Sequence, residues 1–224
     1  MGEKIQIEVA GIGQVDGWLA RPSGSPRGAL VVIQEIFGVN AHIREVTDGF
    51  AADGYYALAP ALFDPALKDV ELAYDAAGAA RGVELRNTVG FERAVAIVEA
   101  AAARLRAMPS VHAVGAVGYC WGGSVAFLAN TRLGLPAVSY YGARTVPFLD
   151  ETLRAPMLFH FGERDRSISP DDVELHRLKQ PTAAIHLYPA DHGFNRDASP
   201  EIYAPESADL ARRRTLKFFE RTLR

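Results

Sequence analysis

Two stretches near the start of the chain, KIQIEVA (residues 4–10) and QVDGWLA (residues 14–20), alternate apolar with polar residues across a glycine-rich turn. Period-two alternation predicts an antiparallel hairpin. After a polar loop from Pro22 to Gly28 the pattern changes, because ALVVIQ is a continuous β-branched run suited to a strand covered on both faces. IREVTDGFAADG then sets Ile43, Val46 and Phe50 at helical spacing ahead of Gly54, and YYALAP reads as the next strand. The rhythm continues with an Ala-rich helix within Phe91 to Ala107, strand VHAVGAVG, a helix from Trp121, strands AVSYYG, MLFHFG and AAIHLYP, and an amphipathic helix around Leu210 to Leu223. Strands alternating with helices predict an α/β fold: a mostly parallel sheet with helices on both faces, preceded by the antiparallel hairpin. Phe63 to Thr88 carries the weakest signals, compatible with helix and with a cover over a cleft. No repeat and no long linker divides the chain, so residues 1–224 are expected to form a single domain.

Composition narrows the function classes. With 24 basic and 27 acidic residues the net charge is -3, and no basic run is present to neutralise phosphates or an anionic membrane. A nucleic-acid partner is not expected. The first residues, MGEKIQIEVAGIGQVDGW, lack the apolar core of a signal peptide, and no stretch approaches the ~18 apolar residues of a membrane span. One cysteine permits no intrachain disulfide, in keeping with a cytoplasmic location. Neither a His-Glu-x-x-His pattern nor a Gly-x-Gly-x-x-Gly fingerprint after a strand is found, so no metal and no cofactor are expected.

The single cysteine lies in VGAVGYCWGGSVAFL, Val114 to Leu128. An unpaired cysteine is commonly a small buried hydrophobe. Here it follows an apolar run within Gly118-Tyr-Cys120-Trp-Gly122 and leads into a helix-forming stretch, which is the form of a nucleophile elbow. The small residues Gly118 and Gly122 would let strand and helix approach closely, and the helix start favours a thiolate and an adjacent oxyanion.

In open α/β sheets ligands sit beyond the carboxyl ends of the strands, so partners are sought just after each apolar run. Glu35 follows LVVIQ, Asp165 follows MLFHFGER and His192 follows IHLYPAD. The order Cys120, Asp165, His192 is the nucleophile–acid–histidine order of the α/β-hydrolase triad. His160 and His186 fall inside strands, where packing is expected, while His112 and His176 lack a strand-end position. Glu163 and Asp191 compete with Asp165 as the acid that fixes the imidazole tautomer, and Glu35 could instead cap a helix or pair with an arginine.

Five segments, QEIFGVNAHIRE, GYCWGG, YYG, FHFGERD and DHGFNR, together resemble the dienelactone hydrolase family, a cysteine-nucleophile branch of the α/β-hydrolase fold. The resemblance runs from about Gln34 to the end of the chain. It implies Cys120 as nucleophile, His192 as base, Asp165 as orienting acid and Glu35 as the acid that contacts the resting thiol. It implies an oxyanion hole from the backbone N–H groups of Ile36 and Trp121. Studied members open dienelactone, a cyclic enol ester bearing a carboxylate, to maleylacetate, and hold the carboxylate with arginines. Arg196 matches one of these; the other falls at Val70, with Arg81 or Arg86 as possible substitutes. Phe37 and Tyr140 complete the expected substrate pocket. The resemblance thus implies a small-molecule ester or lactone substrate, a role in aromatic degradation and a monomer. Two other readings stand beside it: a broader carboxylesterase or lactonase without carboxylate preference, suggested by Val70 and the large Trp121, and a non-enzymatic thiol sensor.

Overall fold

The computed structural model describes residues 1–223, with eight strands and five α-helices among them. The chain divides into two compact units, Met1–Gly115 with Leu223, and Ala116–Thr222. In the first unit, β1 (Glu3–Val9) and β2 (Gly13–Ala20) form the antiparallel hairpin, with Ile5 opposite Gly17. β4 (Tyr56–Pro60) pairs antiparallel with β2 and parallel with β3 (Ala29–Ile33). All five residues of β3 are buried, as its continuous apolar run requires. Helix α1 (Ala41–Ala52) starts at Asn40, whose side chain accepts from the Ile43 N–H.

Helix α2 (Ala76–Arg106) is longer than the expected Phe91–Ala107 element. Its first half occupies part of the Phe63–Thr88 region, and the two halves join at Gly90, whose φ of 71° and ψ of 174° are not helical. A side chain at Gly90 would meet nothing within 4 Å, so the glycine is there for its backbone freedom alone.

The second unit holds β5 (Val114–Tyr119) from Ala116 onward, with β6 (Ala137–Tyr140), β7 (Met157–Gly162) and β8 (Ala184–Tyr188), each parallel to the next. Helix α3 (Trp121–Leu133) follows β5 directly, and α5 (Pro205–Thr222) closes the unit. Helix α4 (Pro170–Lys179) does not appear in the pattern reading of the chain. Its start was nonetheless legible: Ser169 and Asp172 form a reciprocal capping box around Pro170 at the first turn. No helix among the described residues is long and apolar enough to cross a membrane.

Candidate active site

Between β5 and α3 the backbone turns on one residue. Cys120 has φ 54° and ψ −119°, a conformation that an L-residue holds only when its surroundings enforce it. They do so closely: a Cβ on Gly118 would lie 1.8 Å from the Gly122 carbonyl oxygen, so strand and helix meet through bare backbone. The Cys120 N–H donates to the Tyr140 carbonyl at 3.0 Å, and the Cys120 carbonyl accepts from the Gly123 N–H at 2.9 Å. Gly123 and Gly142, which the motif reading passes over, are equally constrained, each a Cβ away from collision with Ser139 Oγ. Trp121 opens α3, so its N–H belongs to the first turn, whose amides have no carbonyl partner within the helix.

The loop after β8 carries His192, and the loop after β7 carries Asp165. The His192 Nδ1–H donates to Asp165 Oδ2 at 2.7 Å; the carboxylate is wholly buried and the imidazole a quarter exposed. The other oxygen, Asp165 Oδ1, accepts from the Ser167 N–H at 2.8 Å, which fixes the carboxylate plane. Of the rival acids, Asp191 is half exposed and lies 3.3 Å from the Arg164 guanidinium, and Glu163 is exposed. His192 also hydrogen-bonds Cys120. Burial opposes the imidazolium, yet the negative charge on Cys120 and the bonds to Asp165 and Cys120 outweigh it, and the pKa is pushed up to about 10. The His192 imidazole is therefore set between Cys120 and Asp165, where negative charge on either neighbour favours its protonated form.

The ring of Tyr141 stands edge-on to His192 at 5.1 Å, and Phe194 packs on Tyr141 at 5.4 Å. Tyr141, with φ 41°, is a neighbour of the imidazole that sequence reasoning missed. Tyr140, the expected substrate contact, points into the core instead. It is fully buried, stacks on Tyr119 at 4.8 Å and shares a 2.7 Å hydrogen bond with Thr215 of α5. Tyr141 lies just past the end of β6 with a positive φ, so strand alternation does not tell which of the two tyrosines of YYG meets the imidazole.

Arg196 is buried, with its backbone N–H on the Gly193 carbonyl at 2.8 Å. In the first unit, Arg81 is exposed and pairs with Glu84 at 2.8 Å, while Arg86 bonds the Asn87 side chain. Glu35 is fully buried at the end of β3, and Phe37 is buried with its ring edge-on to Tyr74 at 4.6 Å.

Parallel strands, a strained strand-to-helix elbow and reactive groups on the loops that follow define the class as an α/β hydrolase. The chain belongs to the dienelactone hydrolase family, whose sequence model matches residues 15–223, and it is a hydrolase that acts on esters. It is 30% identical over 227 residues to a carboxymethylenebutenolidase of Pseudomonas sp. strain P51, covering 98% of this chain and 95% of that one. To the carboxymethylenebutenolidase of Pseudomonas putida it is 33% identical over 206 residues, covering 88% and 87%. The crystal structure of a Klebsiella pneumoniae protein provisionally named a dienelactone hydrolase superposes with a TM-score of 0.83 at 30% identity, over 98% of each chain.

Proposed function

We propose that the protein is a cysteine-dependent hydrolase of enol-ester lactones, of the kind that opens dienelactone to maleylacetate, with Cys120 as nucleophile. The observation that carries this reading is the position of His192, hydrogen-bonded to both Asp165 and Cys120, with Cys120 held at the elbow. The Cys120 thiolate attacks the ester carbonyl carbon, and the oxyanion that forms is held by the N–H groups of Trp121 and Ile36. Collapse breaks the bond to the enol oxygen, and the His192 imidazolium returns a proton to the leaving group. The imidazole, now neutral, takes a proton from water as that water attacks the thioester. Cys120 leaves as thiolate and the acid is released. Asp165 holds the imidazole in one tautomer throughout. Glu35 is assigned, on the family pattern, to thiol activation. The reading takes residues 1–224 as a single domain.

One observation favours a second reading, a carboxylesterase or lactonase indifferent to a substrate carboxylate. Val70 stands where the family has a basic residue, and Arg81 and Arg86 are engaged on the helix surface, which leaves the buried Arg196 as the matched carboxylate ligand. Hydrolysis of dienelactone beside a matched lactone without the carboxylate separates the two. A preference for dienelactone of about tenfold or more supports the first; equal rates support the second. Turnover that survives in Cys120→Ala sinks both.

A further inference from the structure

In the first unit, the segment Glu35–Gly38 leaves β3 and is fixed peptide by peptide. The Glu35 carbonyl accepts from Gln34 Nε2 at 3.2 Å, while Gln34 Oε1 accepts from the Leu62 N–H at 3.0 Å. The Phe37 carbonyl accepts from the Leu72 N–H at 2.9 Å, and Gly38 forms a bridge to Glu71. The Ile36 carbonyl is met by helix backbone instead. A Cβ on Gly82 of α2 would lie 2.0 Å from the Ile36 oxygen, 3.0 Å from its carbonyl carbon and 3.1 Å from its Cβ. The first half of α2 can reach this segment only because residue 82 carries no side chain.

We propose that Gly82 is a positioning residue: its bare backbone lets α2 seat against the Ile36 carbonyl and so sets the direction in which the Ile36 N–H is presented to the oxyanion. The inference rests on the reading of Ile36 as an oxyanion donor. The Ile36 carbonyl and N–H belong to adjacent rigid peptide units hinged at one Cα, and a Cβ at residue 82 would press on the Ile36 Cβ as well as on its carbonyl, so that Cα and the N–H beside it would shift together. Relieving the contact that a methyl group would make requires a shift on the order of 1 Å. Misplacement of that size costs about a hundredfold in a positioned reaction. The same helix contains its own control, because a Cβ on Gly78 would lie 2.0 Å from the Ala73 oxygen, outside the Glu35–Gly38 segment.

The test compares Gly82→Ala and Gly78→Ala in the full chain, using hydrolysis of an activated aryl ester, Cys120 alkylation by iodoacetamide, and Tm. Alkylation develops no oxyanion, so it reads the thiolate without the donor. Gly82→Ala should lower kcat roughly tenfold to a hundredfold with KM and the alkylation rate near wild type. Gly78→Ala should lower Tm and leave kcat unchanged. Wild-type kcat in Gly82→Ala, an equal loss in Gly78→Ala, or alkylation that falls in parallel with kcat overturns the proposal. If Gly82→Ala does not fold, Val83→Gly loosens the same half-helix from an exposed position without a clash. There a fall in kcat of several-fold is expected, and an unchanged kcat overturns the proposal. An active Cys120→Ala would instead defeat the underlying reading, which the Gly82 result alone does not touch.

Discussion

His160 on β7 and His192 beyond β8 belong to the same unit, and burial pulls both imidazoles toward the neutral form. They end in opposite states. His160 sits among hydroxyls, with Thr215 Oγ1 at 3.0 Å from Nε2 and the Tyr188 hydroxyl at 2.7 Å from Nδ1. Its charged neighbours are cationic or can become so: burial first, then His186 and Arg214, hold its pKa well below 6.5. His192 has Asp165 on one side and Cys120 on the other, and its pKa rises to about 10. Burial therefore does not decide what a histidine does; the sign of the charge placed against it does. His160 serves as a neutral tie between β7 and α5, whereas His192, in the proposed mechanism, carries a proton to and from a reacting group.

The largest way to break this contrast is Asp165→Asn, which keeps the size of the side chain and removes its charge. It should lower kcat by about a thousandfold or more, since the imidazole loses its fixed tautomer. Its NMR titration should move below about 10 as well, and an unmoved titration would assign the shift to Cys120 alone. A smaller effect belongs to His160→Phe, which leaves the Tyr188 and Thr215 hydroxyls with fewer partners and should cost about 1–3 kcal/mol in stability. Denaturant unfolding measures this, and kcat should stay close to wild type; a large loss of kcat would give His160 a part in the chemistry.

The pH dependence of the same variants is subtler. As pH falls below about 6.5, the unfolded chain binds a proton at His160 that the folded chain refuses, so stability is lost on the acid side. For His192 the sign reverses: its contribution is present below about 6.5 and is lost as pH rises through about 10. His160→Phe should flatten the acid side of the stability profile and leave the alkaline side alone.

What the sequence made legible was local. Cys120, its flanking Gly118 and the strand-end positions of Asp165 and His192 each follow from a short pattern with a fixed spacing, and the structure brings these three side chains together. The start of α4 was equally local and written in Ser169, Pro170 and Asp172, although apolar periodicity, the signal used, is weak in that helix. Other features were of a different kind. Tyr141 faces His192 because its φ of 41° interrupts strand alternation, and no pattern of residue types announces that turn. Gly82 meets Ile36 across 46 positions of sequence, a contact that only the folded chain defines. Arg81 illustrates the opposite failure: a residue of the right type in the right region, whose helical neighbour Glu84 already claims it.

The backbone of Cys120 sets durability against reactivity. A left-handed φ on a residue with a side chain stores about 1–3 kcal/mol, which the rest of the fold must continuously withstand. Glycine would adopt the same dihedrals without that strain, at a cost of roughly 0.5–1 kcal/mol in lost chain freedom. The heat-hardiest residue for position 120 is thus the one that can do no chemistry. With Cys120 as the proposed nucleophile, selection for persistence and selection for turnover would pull this one position in opposite directions over many generations.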